Sequence, residues 1–228
     1  MEPEIVIPFV ILGLLAAVAA VYIALELKRI RGLAQCAAEL GFEFEAKAYK
    51  AAEADLVPGQ SDLWVLSWQD PVVYNVLKGE IHGVEVCICE CDASSGSPKR
   101  GTRWRHTVAL FRSPMLRLPP FNVRPKRAYL PLRRGVKKGF KSIEFAGQAA
   151  FSSNCLLFGE DEGAVRGVFG RSALNHFAEA GGLCVDAAGD SLAVFRILRR
   201  VKPRDIPAFI KEGLQVFALF ARKSGSGA

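Results

Sequence analysis

Three cysteines that alternate along one predicted strand carry the most suggestive side-chain chemistry in this 228-residue chain. Cys87, Cys89 and Cys91 would face the same side of the strand, and pairing of Cys89 with His106 would complete a Cys₃His set of the kind that binds zinc. However, three ligands spaced two apart extend about 13 Å on a straight strand, too far for one ion without a bulge. We therefore predict core cysteines, no metal and no cofactor, with Cys87, Cys89, Cys91 and His106 as the weak candidate ligands.

Nucleophilic catalysis has little support in the sequence. It requires a thiol or hydroxyl with a base in reach, and the histidines are His82, His106 and His176. Neither a Gly-x-Ser-x-Gly elbow nor a Cys-Gly-x-Cys-Trp signature is present. An enzyme is the less favoured class, and its best form is a membrane-tethered thiol hydrolase using Cys89 and His106.

The strongest compositional signal is a basic segment between residues 93 and 143. It has no Asp or Glu, although the whole chain holds 23 of them. The segment also holds 14 of the 30 Lys and Arg, so the positive net charge of the chain, +7, comes from this segment. The 14 residues are Lys99, Arg100, Arg103, Arg105, Arg112, Arg117, Arg124, Lys126, Arg127, Arg133, Arg134, Lys137, Lys138 and Lys141. Near an anionic leaflet each such residue contributes about 1 kcal/mol of attraction.

This segment predicts contact with anionic lipid headgroups, with Trp104 suited to headgroup insertion. Two alternatives stay open: a solvated basic face, and a nucleic-acid or acidic-protein partner, although no nucleic-acid-binding signature is met. The predicted lipid-surface residues are Arg103, Trp104, Arg105, Arg133, Arg134, Lys137, Lys138 and Lys141.

The chain that carries these basic residues begins with an apolar stretch. From Ile5 to Leu25 there is no charged residue, and a helix of that length extends about 31 Å, close to the roughly 30 Å hydrocarbon core of a bilayer. A cleaved signal peptide would carry a positive start, whereas the chain begins Met-Glu-Pro-Glu. We predict an uncleaved, single-pass anchor.

The flanking charges predict the direction of the anchor. Lys28, Arg29 and Arg31 follow the apolar stretch, which favours a cytoplasmic location for that end. The N-terminus is then outside the cell, and the domain lies in the cytoplasm on the inner or plasma membrane. The absence of an Asn-x-Ser/Thr acceptor agrees with that compartment, in which the six cysteines should be free thiols.

After the anchor the pattern indicates strands first and helices later. Residues 72–81 and 84–91 form a predicted hairpin, 103–111 a third strand, and the proline-rich segment 113–131 an extended edge. A helix is predicted from about residue 160 to 181, then a hairpin over 183–198, then a helix opened by Pro203.

The predicted fold class is therefore α+β: a transmembrane helix followed by a mainly antiparallel sheet and two helices in the C-terminal half. The predicted organisation has four parts: an anchor at 1–27, a helical stalk at 28–41, a cytoplasmic domain at 42–223, and a flexible tail at 224–228.

Three apolar motifs carry a resemblance to known proteins. At Tyr74–Gly79, Thr107–Phe111 and Leu118–Phe121, with Phe151-Ser152 opening the last third, the chain resembles uncharacterised bacterial single-span membrane proteins. The resemblance implies a membrane-anchored α+β architecture and brings no activity with it. The resulting prediction is a membrane-anchored binding or scaffolding module whose basic face lies toward anionic lipid, with no protein partner specified.

Overall fold

The computed structural model describes residues 3–54, 56, 63–67, 71–95, 102–128 and 137–221. Within these residues the chain forms a mixed α+β fold built on one large antiparallel sheet, as predicted. The helices are α1 Pro3–Leu40, α2 Trp64–Ser67, α3 Ala149–Asn154, α4 Glu162–Val168, α5 Arg171–Glu179 and α6 Ile206–Phe220. The strands are β1 Glu43–Glu45, β2 Tyr49–Lys50, β3 Val72–Ile81, β4 Val84–Ser95, β5 Thr102–Arg112, β6 Leu118–Pro125, β7 Lys141–Ile143, β8 Cys155–Gly159, β9 Cys184–Gly189 and β10 Ser191–Phe195.

Helix α1 has two parts with different surroundings. Large apolar side chains from Phe9 to Leu25 are mostly more than half exposed, whereas Leu33, Cys36 and Ala37 are buried against the sheet. Among the described residues this is the one helix long and apolar enough to cross a membrane. The segment predicted as a stalk is thus helical to Leu40 and contributes side chains to the core of the domain.

The sheet has strand order β1-β3-β4-β5-β10-β9-β6-β8-β7, and β2 also pairs with β3. Side chains on one face pack against α1 and the later helices, with Phe111, Phe121 and Phe177 fully buried there. On the other face, Leu63, Val65 and Leu66 cover a smaller core. Both faces are therefore covered, which accounts for the many apolar residues in β4, β5, β9 and β10.

The two hairpins confirm the sequence patterns. Strands β3 and β4 are joined at His82-Gly83, where both residues have positive φ, as a tight type I′ turn requires. Strands β9 and β10 form the second hairpin. Ser191 lies opposite Ala188 at one end of their pairing, and Phe195 lies opposite Cys184 at the other.

Two predictions about elements were wrong. The proline-rich strand β6 lies inside the sheet, between β9 and β8, because Pro119 and Pro120 fall at a register shift and Pro125 ends the strand. The helix predicted over 160–181 is two helices, α4 and α5, interrupted at Phe169-Gly170, where Phe169 turns into the aromatic core. The short helix α3 was not anticipated.

One contact between α6 and the sheet leaves no room for a side chain. A Cβ on Gly213 would lie 2.2 Å from the ring of Phe111, which is fully buried. We expect Gly213→Ala to lower the free energy of unfolding by about 1–3 kcal/mol, because the ring or the helix must shift. Urea unfolding of the full chain in detergent measures this loss.

A matched substitution shows whether the loss is steric. Gly167 lies in the exposed part of α4 with no atom within 4 Å of a Cβ. Gly167→Ala should stabilise by about 0.5–1 kcal/mol, because Ala favours the helix. Equal stability of the two variants would contradict the predicted clash.

Candidate functional site

A buried ionic cluster joins helix α1 to the sheet. Glu90, on the helix-facing side of β4, is 2% exposed. Its carboxylate accepts hydrogen bonds from Arg29 Nε at 2.8 Å, Asn75 Nδ2 at 2.6 Å and Arg200 Nε at 2.9 Å. A single carboxylate thus binds side chains from α1, from β3 and from the segment after β10.

Arg200 extends this cluster to the start of the domain-bound part of α1. Its Nη1 and Nη2 donate to the two oxygens of Glu26 at 2.6 and 2.9 Å, and Nη2 also donates to Glu90 at 2.9 Å. Arg29 Nη2 donates to the carbonyl of Val201 at 2.7 Å. We call Glu26, Arg29, Asn75, Glu90 and Arg200 the junction cluster.

The junction cluster is balanced in charge. Burial alone would raise the pKa of Glu90, but the hydrogen bonds from Arg200, Arg29 and Asn75 together hold it below its ordinary value. Glu90 is therefore ionised at neutral pH, and two carboxylates face two guanidinium groups. The arrangement fixes α1 on the sheet and leaves no net charge in the partly buried site.

A second contact lies one step nearer the apolar part of α1. Arg105 of β5 donates to Asp92 of β4 at 3.1 Å and to the hydroxyl of Tyr22 at 2.9 Å. Nearby, burial and the charge of Glu90 raise the pKa of Tyr74 to about 12, so its hydroxyl stays protonated. The contact places the start of β5 beside the end of the apolar stretch.

Strand registers define which edge of the sheet lies near this point. Phe195 is opposite both Val108 and Cys184, and Pro125 is opposite Cys155. The C-terminal ends of β4, β10 and β6 and the N-terminal ends of β5, β9 and β8 therefore share one edge. We call it the anchor edge, because α1 leaves the sheet there through Tyr22 and Glu26.

The anchor edge carries exposed basic residues outside the junction cluster. Lys126 and Arg127 follow β6, while Arg199 and Lys202 follow β10, and all four are exposed. A surface cleft of about 740 Å³ opens beside Lys126 and Arg127, between the end of β6 and the turn after α5. The opposite edge is mixed in charge and includes Glu85, Asp190, Glu160, Asp161 and Arg117.

The structure separates the predicted lipid-surface residues into two groups. Arg103, Trp104 and Arg105 belong to β5 at the anchor edge, where Arg103 pairs with Ser94 and Trp104 with Ala93. Lys141 instead pairs with Gly159 toward the opposite edge, and Lys137 and Lys138 precede it. Arg133 and Arg134 lie outside the described residues.

The register between β4 and β5 differs from the one that the zinc and thiol hypotheses assumed. His106 is opposite Cys91, while Cys89 is opposite Val108, so the proposed pairing of Cys89 with His106 was wrong. Burial raises the pKa of Cys87 and Cys91 to about 12 and that of Cys89 well above its ordinary value. Among the described residues, no three His, Cys, Asp or Glu are arranged to hold a metal ion.

A second buried ion pair lies on the opposite face of the sheet. Asp186 is fully buried, pairs with Arg124, and accepts from Asn122 Nδ2 at 2.9 Å. Its other oxygen accepts the backbone N–H of Val65 at 2.7 Å, which fastens α2 over the smaller core. Arg124 also donates to the carbonyl of Val185 at 3.1 Å. All carboxylate oxygens here are used internally, so the pair has a structural role.

Sequence reasoning missed the junction cluster. Arg29 was used to predict orientation, but its side chain turns inward to Glu90. The available signal was Glu90 itself, a carboxylate between Cys89 and Cys91 in an otherwise apolar strand. A buried charge of this kind requires a partner. Nothing local identifies that partner, because Arg200 lies 110 residues away.

Comparison with known proteins identifies the fold and no family. No protein-family model and no curated protein matches the chain. The crystal structure of the mycobacterial trehalose monomycolate transport factor A, TtfA, is similar, with a TM-score of 0.56 and 15% sequence identity. The alignment covers 84% of this chain and 92% of that one, so the two share an overall fold.

Proposed function

We propose that the chain is a single-pass membrane protein whose α+β domain is held at the inner face of a bacterial inner membrane as a binding or scaffolding module. The observation that carries this proposal is the double contact of Arg200 with Glu26 and Glu90. Glu26 follows directly on the apolar stretch that ends at Leu25. The sheet is therefore fixed to the helix at the level where the helix would leave the bilayer.

The charges around this point support a cytoplasmic domain. Lys28 and Arg31 are exposed just after the apolar stretch, as expected for the cytoplasmic end of a membrane helix. The six cysteines are free and buried, which suits a reducing compartment. The N-terminus is accordingly placed outside the cell in this proposal.

The basic anchor edge is the surface that the domain presents to anionic headgroups. Each Lys or Arg near such a surface contributes about 1 kcal/mol, and the attraction falls off within a Debye length. Lys126, Arg127 and Arg199 are suitable because they are exposed at the correct edge. Since the junction cluster already fixes the domain, these residues gain that attraction without the entropic cost of docking a free protein.

Anionic lipid should accordingly be enriched around the full chain in vesicles. We expect spin-labelled phosphatidylglycerol to show a larger motionally restricted fraction than spin-labelled phosphatidylcholine, with the difference shrinking at high salt. The triple substitution Lys126→Gln, Arg127→Gln and Arg199→Gln should remove most of this preference, because it neutralises three of the four exposed basic residues of the anchor edge. Electron spin resonance of the reconstituted protein gives both fractions.

The opposite edge supplies a control with the same change in charge. Lys137→Gln, Lys138→Gln and Lys141→Gln also remove three positive charges, but from residues that precede or form β7. This variant should keep the lipid preference. Equal restriction of both lipids by the unsubstituted chain would overturn the proposal and favour a soluble acidic partner or nucleic acid for these residues.

A transport-related role is the second candidate. It is favoured by the fold shared with TtfA, a transport factor by name, along 92% of that chain. In this form the domain would be an accessory factor at the membrane for a transported lipid-linked molecule. Comparison of glycolipid export in cells with and without the chain tests it, and unchanged export would remove it.

The thiol hydrolase hypothesis required Cys89 to lie opposite His106, and the structure does not place them so. Cys89 is fully buried and lies opposite Val108, and its raised pKa disfavours the thiolate that would attack a substrate. The described part of the chain therefore supports a binding role better than this reaction.

A further inference from the structure

The turn that follows β10 contains an unusual residue. The N–H of Arg199 donates to the carbonyl of Arg196 at 3.2 Å, which closes a four-residue turn with Ile197 and Leu198 in its centre. Leu198 has a φ of +58°. A positive φ at the third position of a turn normally selects Gly or Asn, because a Cβ is strained there.

The side chain of Leu198 is also in an unfavourable place for a protein in water. It is 59% exposed, and among the described residues outside α1 the other exposed large apolar side chain is Met115, at 37%. A single exposed leucine is ordinary on a protein surface. An exposed leucine in a strained conformation, however, has two unfavourable features, and backbone strain of this kind is concentrated at functional sites.

Two hydrogen bonds to Thr107, at and just after the end of the turn, hold it close to the exit of α1. The carbonyl of Arg199 accepts from the N–H of Thr107 at 3.1 Å, and the N–H of Val201 donates to the Thr107 hydroxyl at 2.9 Å. The intervening Arg200 binds Glu26, the residue after the apolar stretch. Leu198 is thus two residues from a direct contact with the end of the membrane-spanning segment.

We propose that the turn of residues 196–199 inserts into the bilayer interface, with the Leu198 side chain at the boundary of headgroups and acyl chains. This inference rests on the proposed membrane anchoring and adds the residue that enters the lipid. The exposed Arg199 and Lys202 follow it in the chain and would bind the headgroup phosphates. An apolar side chain next to exposed basic residues is the pattern expected of an interfacial element.

Fluorescence at the turn tests the insertion. Leu198→Cys is labelled with an environment-sensitive nitrobenzoxadiazole on the full chain and reconstituted into vesicles containing phosphatidylglycerol. The control is His82→Cys, because His82 is also exposed and has a φ of +51° in a turn at the opposite edge. The native cysteines are buried, so labelling is selective for the added thiol.

We expect the label at residue 198 to emit at shorter wavelength and to be quenched by lipids spin-labelled near the headgroup, whereas the label at residue 82 behaves as in water. The same emission at both positions overturns the inference. If the preference for phosphatidylglycerol persists in that case, the proposed function stands and only the insertion fails. If the preference is also absent, both fail.

A second variant separates insertion from a structural role. Leu198→Gly relieves the strained φ. In detergent, where there is no lipid interface for the side chain to enter, the variant should therefore have a higher unfolding temperature than the unsubstituted chain. In vesicles this gain should shrink, because the variant has lost the side chain that contacts lipid. A lower unfolding temperature in detergent would show that Leu198 supports the fold, and would overturn the proposal.

Discussion

Replacing Glu90 with Gln should weaken the whole junction between α1 and the sheet. The substitution keeps the shape of the side chain, but it leaves Arg29 without its carboxylate partner and Arg200 with Glu26 alone. Removing one partner of a buried ion pair costs about 3–5 kcal/mol, and we expect about 3 kcal/mol here because water reaches part of both arginines. The side chains of Arg29 and Arg200 are 14% and 21% exposed. Urea unfolding of the full chain in detergent measures the loss.

Glu212→Gln is the matched control for this prediction. Glu212 also accepts two hydrogen bonds from one arginine, Arg196, but its side chain is 28% exposed. Because Glu212 is more accessible to water than Glu90, we expect this variant to lose only about 1 kcal/mol. If the two variants unfold at the same urea concentration, the junction cluster does not have the energetic role assigned to it.

The pH dependence of the free energy of unfolding gives a second test of the role of Glu90. The pKa of Glu90 is lower in the folded chain than in the unfolded one, so its contribution to stability is present above the unfolded pKa, near 4.3. That contribution is lost as the pH falls through the lower folded value. The unsubstituted chain should therefore lose stability below about pH 4.3 more steeply than Glu90→Gln does. Parallel pH profiles would contradict the pKa shift.

The elements predicted well are those whose signals are local. An uncharged stretch from Ile5 to Leu25 defines an apolar helix by itself, and the pair His82-Gly83 defines a tight turn between two alternating strands. Each of these signals is complete within about 20 residues, so one sequence was sufficient. The order of strands and helices then gave the α+β class.

Strand β6 shows where local rules fail. Its prolines indicated an edge, because Pro cannot donate to a neighbouring strand. In the structure Pro119 and Pro120 fall between Leu118 and Phe121, where the register of β6 with β9 shifts, and residues 121–123 pair with both neighbouring strands. A bulge of this kind depends on how β9 approaches, and that is not encoded near β6.

The candidate site was hidden for a related reason. The bond between Arg200 and Glu26 joins residues 174 positions apart. The basic segment, by contrast, was visible in sequence but is divided by the fold, since Arg105 and Lys141 lie at opposite edges of the sheet. Basic residues that are close in sequence are therefore partly separated in space, whereas the four charged residues of the junction cluster are far apart in sequence and form no sequence cluster.

The second large effect is expected from Asp186. Asp186→Asn removes the charge that faces Arg124, which is itself only 3% exposed, and leaves it buried without a carboxylate. We expect a loss of about 3–5 kcal/mol, larger than for Glu90→Gln because both partners are almost fully buried. The Val65 amide also loses its carboxylate acceptor, so its hydrogen exchange should become faster. Urea unfolding and amide exchange of the full chain measure the two effects.

A double-mutant cycle determines how much of that loss belongs to the pair. Arg124→Met combined with Asp186→Asn removes both charges, and the double variant should be more stable than Asp186→Asn alone, because no unpaired charge stays buried. Asp190→Asn is the control, since Asp190 pairs with Arg112 at a side-chain exposure of 35% and should change stability by less than about 1 kcal/mol. Additive losses in the cycle would mean that Asp186 acts mainly through Val65 and Asn122, and the ion pair would then be incidental to the fastening of α2.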